Sequence, residues 1–421
     1  MRYETPEYVA SMLPRYAPPK LRTLLDPATG SGVLIRPFLR RNPRVEATCI
    51  DIDPEATSLL QRNLGSHRNV EVITKDFLRW CGARQFDCVV MNPPFASRKQ
   101  DLVKLTIPGN ATVKERDVFV GCEMAFVLSA INLLRAGGRL IAILPASIIS
   151  SDSGHWLRKV LMLTGAVKLV HELPARTFHG IEAKTFLLVY ERGGVQSGVS
   201  LRNHRLRCPD ELIVPKKVIE TNLRFDYGFH DSMVWYQKLR SLSDLGWVRL
   251  ADAADCWRGE VDSPVDKDLV LHTTNLQSFR PTEVEMRSWI HPVRHGDLIV
   301  KRVGRQCAAS WIPYMRKNPA RCSDCLFIVR SNREFDSIAL LFALRVLLAS
   351  VQGSPLVERG IGAAYLTFDA INDLWIPYSL HTQYSKSFES FKSALRSRKW
   401  TELMQIEGRV RQYLQKRIQL N

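Results

Sequence analysis

The sequence predicts an α/β fold: a parallel, doubly wound sheet followed by a second, mixed α+β domain. Three observations lead there. Apolar runs of strand length alternate with helix-length stretches as far as Arg192, which is the pattern of strand–helix–strand crossover units. After Arg192 the alternation stops at a glycine-rich turn, GGVQSG (193–198). At 421 residues, 45% hydrophobic and 24% charged, the chain exceeds one ordinary domain and has core enough for two.

The elements follow in order. LRTLLDPA (21–28) is an apolar strand ending in a carboxylate, and Ser31 to Arg41 reads as a helix. VEATCIDID (45–53) is the second strand, with a helix from Glu55 to Leu64. NVEVITKDF (69–77) is the third, and FDCVVMNPPF (86–95) is a fourth that stops in a proline-rich turn. A helix from Glu123 to Arg135 turns at Gly137-Gly138 into RLIAILP (139–145); AVKLVHELP (166–174) and AKTFLLVYER (183–192) are strands six and seven. Beyond lie short strands and two clear helices, Ser337 to Ser350 and Thr401 to Gln419. The domain boundary is expected between 205 and 225, giving domains 1–215 and 216–421.

The formal net charge is +17, and it is spread evenly. Residues 1–215 hold 29 basic and 20 acidic side chains, and 216–421 hold 30 and 22. This balance points to a polyanionic partner reached by both halves and argues against an acidic scaffold. The nine cysteines are scattered, the chain opens MRYETPEYVA without an apolar signal region, and no apolar run is long enough to span a membrane. A cytoplasmic setting and no membrane contact are expected. Cys322-Ser-Asp-Cys325, with Cys307 upstream, lacks the second close ligand pair of a structural zinc site, so no metal is expected.

The sites sit where strands end. In Asp26-Pro27-Ala28-Thr29-Gly30-Ser31-Gly32 the glycines permit a tight turn and close ligand approach, beside the free N–H groups of a helix start. Ile35 stands where a dinucleotide fingerprint has its third glycine, which disfavours nicotinamide cofactors. Asp51, ending strand two, can accept from both ribose hydroxyls; Asp76, ending strand three, can accept from an adenine amino group, with Phe77 beside it as a stacking surface. Three aspartates at consecutive strand ends point to an adenosyl cofactor. Asn92-Pro93-Pro94-Phe95 follows strand four at the same edge. Its prolines hold the turn rigid, so the Asn92 side-chain oxygen and the Pro93 carbonyl can accept the two hydrogens of a planar amino group. That pulls the nitrogen towards tetrahedral geometry for in-line methyl transfer, while Phe95 stacks on the base.

In the order ETPEYV (4–9), DPATGSG (26–32), DIDPEA (51–56), KDF (75–77) and NPPF (92–95), these motifs resemble the amino-group DNA methyltransferases, most of all the gamma class that modifies adenine. The resemblance covers residues 1 to about 195. It implies a Rossmann-like methyltransferase sheet, S-adenosylmethionine as cofactor, Thr5 near the methionine carboxylate, and Phe178 in ARTFHG as an aromatic clamp on a flipped base. Thr29 departs from the small residue or cysteine usual there. The stretches 296–313 and 360–377 are similar, more loosely, to target-recognition domains of type I specificity subunits. That implies a DNA target-recognition role for 216–421, with Lys301, Arg302 and Arg305 approaching phosphates or base edges and Trp311 and Tyr314 packing or stacking. The partners so implied are double-stranded DNA near the nucleoid and a cognate restriction endonuclease acting separately, with the chain itself a monomer. Two rival functions stand beside this: an RNA adenine or guanine amino methyltransferase, and a DNA-binding relative with an inactive catalytic fold. Glu182-Ala-Lys184 is similar to a nuclease Glu-x-Lys but lacks an upstream acidic partner, and the basic residues of the last helix fit a solvated face.

Overall fold

The computed structural model describes residues 4–64, 67–80, 82, 84–95, 102–107, 116–175, 177–178, 184–260, 270–276, 278, 290–360 and 364–420. The chain divides into two compact units, Met1–Tyr227 and Gly228–Asn421.

In the first unit, a short helix α1 (Glu7–Ala10) precedes β1 (Thr23–Asp26), α2 (Ile35–Arg41), β2 (Glu46–Asp51), α3 (Pro54–Leu64), β3 (Val70–Thr74) and β4 (Phe86–Met91). A hairpin of β5 (Leu102–Ile107) and β6 (Arg116–Gly121) leads into α4 (Cys122–Asn132). Then come β7 (Leu134–Pro145), α5 (Ala146–Ile149), α6 (His155–Thr164), β8 (Gly165–Glu172), β9 (Thr185–Arg192), β10 (Gly198–Arg202), β11 (Glu211–Pro215) and α7 (Lys216–Asn222). Nine strands form one sheet in the order β11-β10-β8-β9-β7-β4-β1-β2-β3.

The central strands are buried on both faces, so they read as continuous apolar runs rather than as alternation. Leu25, Val89, Met91, Leu140 and Ala142 enter one core, while Leu24, Cys88, Val90, Ile141 and Ile143 enter the other. α4 and α6 cover the first face, and α2 and α3 the second.

The sheet is not wholly parallel. β9 runs antiparallel to both neighbours, β7 and β8. Among the described residues no helix lies between β8 and β9, and a parallel pairing needs such a crossover. The segment after Arg192 also continues the sheet: β10 pairs parallel with β8, and β11 pairs antiparallel with β10. α7 belongs to this unit because Ile219 is fully buried in its core, as is Phe225 just beyond. Arg158, itself buried, locks the segment by donating to the carbonyls of Leu223, Ile148 (2.6 Å) and Ser151 (2.8 Å).

The second unit is mixed α+β. Its largest sheet has four short strands, Ala254–Arg258, Leu326–Ser331, Leu298–Lys301 and Ile312–Pro313, in that spatial order and antiparallel throughout. The helix Ser337–Leu348 is buried from Ala339 to its end, with Phe342 packed at 5.0 Å on Phe391. A 21-residue helix, Trp400–Leu420, closes the chain. Two of its basic residues have structural partners: Arg417 donates to both oxygens of Asp244 at 2.8 Å, and Arg411 donates to the Arg345 carbonyl at 3.3 Å. Among the described residues no helix is long and apolar enough to cross a membrane.

Candidate active site

At the end of β1 the chain turns through Gly30 and Gly32, at φ +54° and +79°, a region that strains residues bearing a Cβ. The two glycines serve different needs. A Cβ on Gly32 would lie 2.3 Å from Leu60 Cδ1, which is itself fully buried. A Cβ on Gly30 would meet nothing within 4 Å, so this glycine keeps a stretch of backbone open to a ligand.

The turn is clamped to β2. Asp51, 9% exposed, accepts from Gly30 N at 2.8 Å and from Asp53 N at 3.0 Å, one bond to each carboxylate oxygen. Thr29 N donates to the Ile50 carbonyl at 2.9 Å, and its hydroxyl donates to the Asp26 carbonyl at 2.9 Å.

Asp26 is fully buried. Its Oδ1 accepts from Ala28 N at 3.2 Å, and its Oδ2 is buried without a hydrogen-bond partner among the described residues. Burial pushes this carboxyl up to about 8; the Ala28 N–H opposes the rise and the Asp51 charge adds to it. An orphaned buried acceptor is the complement of a ligand N–H. Together with the open backbone at Gly30, it fits the ammonium end of an amino-acid-bearing cofactor.

Asp76 stands at the end of β3 with its side chain 37% exposed. Its Oδ1 accepts from Leu78 N at 3.0 Å, capping a single 3-10 turn, and Oδ2 lies 3.5 Å from Arg79 Nε. Phe77 corrects an expectation: it is 4% exposed and packs at 5.1 Å against Phe126 of α4, so it is a core ring and offers no stacking surface. The residue that does offer apolar surface is Ile52, 69% exposed directly after Asp51. The signal was available, since an apolar residue follows the strand-end aspartate in DIDPEA.

β4 lies next to β1, so the proline turn leaves the sheet at the same edge as the glycine turn. Asn92 and Phe95 are half-buried, Pro93 is buried and Pro94 exposed. Asn92 Nδ2 donates to Thr5 Oγ1 at 3.0 Å, and Thr5 is 4% exposed. Direct bonds therefore join Thr5 to Asn92, Asp26 to Ala28 and Asp51 to Gly30. Phe178 lies elsewhere. At 3% exposed it sits in the core under the opposite face from Phe77, with Leu173 and Leu187, and as packed it cannot clamp a base.

The other predicted contacts belong to the second unit. Lys301 ends its strand half-buried. Arg302 is committed to the Cys322–Cys325 turn, donating to the Asp324 carbonyl at 2.7 Å, and Arg305 is exposed beyond it. Trp311 and Tyr314 are fully buried, so they pack rather than stack on a ligand. Cys325 donates to Asp324 Oδ1 at 3.4 Å and Cys307 to Glu358 Oε1 at 3.5 Å, and no metal-ligand group of three or more occurs among the described residues. Glu182 lies outside the described residues; Lys184 is exposed just before β9.

Sheet order, the clamped glycine turn and the strand-end carboxylates define a Rossmann-like methyltransferase fold in the first unit. Residues 8–109 match the model of the methyltransferase small domain family. The chain is 21% identical over 255 residues to the type II methyltransferase M.AccI of Acinetobacter calcoaceticus, covering 57% of this chain and 47% of the relative. It is 29% identical over 175 residues to a tRNA1(Val) (adenine(37)-N6)-methyltransferase of Shewanella halifaxensis, covering 40% and 66%. The type IIG restriction endonuclease BpuSI superposes with a TM-score of 0.47 at 14% identity, over 88% of this chain and 58% of that one. The chain spans less than half the length of the type II methyltransferases it matches.

Proposed function

We propose that this chain is a site-specific DNA methyltransferase that moves a methyl group from S-adenosylmethionine to the exocyclic amino group of an adenine extruded from duplex DNA. The observation that carries the reading is the Thr5–Asn92 hydrogen bond, because it fixes the amide of the proline turn at the same sheet edge as the clamped glycine turn.

Asp26 Oδ2 accepts from the ammonium of the bound cofactor, Asp51 from its ribose hydroxyls and Asp76 from its adenine amino group. Ala28, Gly30 and Gly32 bring bare backbone against it, and Ile52 replaces Phe77 as the apolar platform. The cofactor supplies an electrophilic methyl group on a sulfonium. With Nδ2 tied to Thr5, Asn92 turns Oδ1 to the opposite side, where it accepts one amino hydrogen of the target base; the Pro93 carbonyl accepts the other. Thr5 accepts from Asn92 and keeps its own O–H to donate, so it can serve the cofactor carboxylate as well. Pro94 keeps the turn rigid, and Phe95 stacks on a base outside the helix, since a stacked adenine cannot reach the pocket.

The second unit, with Lys301 half-buried and Arg305 exposed, recognises the target sequence. Protection against a separately acting restriction endonuclease is the role such modification serves. An RNA substrate is the alternative, supported by the similarity to the tRNA methyltransferase.

Sequencing that detects modified bases in a host expressing the gene tests the proposal. N6-methyladenine in one short DNA motif, lost with Asn92→Ala, is the expected result. Unmodified DNA with methylated tRNA would replace it with the RNA reading.

A further inference from the structure

The second unit carries an open cavity of about 530 Å³. Lys301 and Arg345 line it, with Thr273, Thr274, Trp400 and Met404. Arg345 is 7% exposed, and a guanidinium is buried this deeply only where its N–H groups find partners. Two of its directions are paired: Nε donates to Glu407 Oε1 at 2.6 Å, and Nη1 to the Trp311 carbonyl at 2.8 Å. Nη2 makes no hydrogen bond among the described residues, and Arg345 is one of the residues that line the cavity.

The local charge is unbalanced. Glu407 is wholly buried and is shared, with Arg345 on Oε1 and Arg411 3.9 Å from Oε2. Two arginines thus face one carboxylate, Lys301 adds a third positive charge, and no carboxylate lines the cavity among the described residues. Lys301 Nζ has no ion pair among the described residues, and its backbone is pinned by Ser310 Oγ at 2.8 Å. Cationic and hydroxyl-bearing side chains in one cavity with an indole and a thioether complement an anion attached to a flat ring. The volume falls within the ordinary range for small-ligand sites, roughly 300–1,000 Å³.

We propose that this cavity binds a nucleotide, with its phosphate between Lys301 and Arg345 and its ring against Trp400. The nucleotide is either free or part of a DNA strand; the second case rests on the target-recognition role proposed above for Lys301, and the first does not. The test uses the full chain with S-adenosylhomocysteine present throughout, so that adenosine sites elsewhere are occupied. Adenosine monophosphate, inorganic phosphate and a short single-stranded DNA are titrated into the wild type, Lys301→Gln and Trp400→Leu, with thermal midpoints checked for each variant. The expected result is saturable binding of the nucleotide, weakened roughly tenfold or more by Lys301→Gln. Trp400→Leu is expected to weaken the nucleotide but not inorganic phosphate. Displacement of the nucleotide by the oligonucleotide assigns the strand as source; binding indifferent to the oligonucleotide assigns a free nucleotide. If both variants keep the wild-type midpoint and bind nucleotide and oligonucleotide as the wild type does, or if neither probe binds the wild type, the inference is overturned.

Discussion

The side chains of Thr5 and Asn92, 87 residues apart, meet in a hydrogen bond of 3.0 Å. The donor is the asparagine amide nitrogen, so the threonine holds that nitrogen on its own side. Thr5→Val keeps the shape and removes the acceptor. Turnover should fall about 10-fold to 100-fold, since the amide must then be ordered at each cycle, and Thr5→Ser should restore most of it. Asn92→Ala removes one of two acceptors outright and should reduce turnover by about 10²–10³ or more, by analogy with the loss of one preorganised donor in other active sites. Incorporation of labelled methyl groups into DNA, with cofactor affinity measured in parallel, checks both. A Thr5→Val enzyme with the wild-type rate would mean that Asn92 is oriented by other contacts.

Asp51 and Asp76 look equivalent as strand-end aspartates, but they are built differently. Asp51 is nearly buried and holds two backbone N–H groups of the turn, whereas Asp76 is 37% exposed and caps one 3-10 turn. Asp51→Ala should weaken cofactor binding by about 1.5–3 kcal/mol, the range for a charge-assisted bond. Asp76→Ala should lose less, because solvent already competes for its carboxylate. Calorimetric titration with S-adenosylhomocysteine separates them, and equal losses would refute the difference.

Much of the first unit is legible in sequence because its strands are short, apolar and punctuated by functional turns. The DPATGSG and NPPF turns announce themselves through residues that only a special backbone needs. The antiparallel β9 and the strands β10 and β11 were hidden for a physical reason. Val199 and Leu201 are buried while Gly198, Ser200 and Arg202 are half-buried, so β10 alternates too briefly to stand out beside a glycine-rich turn. Phe77 and Phe178 show the other limit. An aromatic ring beside a functional residue reads the same whether it faces a ligand or the core, and only the three-dimensional packing distinguishes them.

Asp26 gives the site a pH dependence. Its carboxyl is pushed up to about 8, chiefly by burial, so between about 4 and 8 the folded chain holds a proton that the unfolded chain releases. Stability should therefore fall as pH rises through that window and level off above it. An ammonium donor binds the ionised carboxylate, so affinity for S-adenosylhomocysteine should rise with pH towards about 8, where an α-amino group itself begins to lose its proton. Asp26→Asn should flatten both profiles. Calorimetry from pH 6 to 8 reads the second, and an affinity that does not change with pH would remove Asp26 from the ammonium contact.

Gly30 and Gly32 should respond unequally to alanine. Both changes place a Cβ at positive φ, which costs roughly 1–2 kcal/mol. Gly32→Ala also drives the Cβ into Leu60, which is fully buried and has little room to move, adding about 1–3 kcal/mol of overpacking. Gly30→Ala meets only open space, so its larger effect should fall on cofactor affinity. Urea denaturation read beside calorimetry gives the two orderings, which should be opposite.

Phe95 and Phe178 yield the sharpest contrast. Phe95 is half-buried at the sheet edge, while Phe178 is 3% exposed among Leu173, Leu187 and the helices of one core face. If Phe95 stacks on an extruded base, Phe95→Ala should weaken binding of the target by about 1–3 kcal/mol with little change in stability. Phe178→Ala should do the reverse, destabilising the fold by about 3–5 kcal/mol through the cavity it leaves. A 2-aminopurine placed at the target position should brighten on binding, as a base does when it leaves the stack. With Phe95→Ala it should brighten further, because a quenching ring is gone, and with Phe178→Ala its emission should match the wild type as long as the protein stays folded. An emission change with Phe178→Ala at unchanged stability would mean that this ring leaves the core to meet the base.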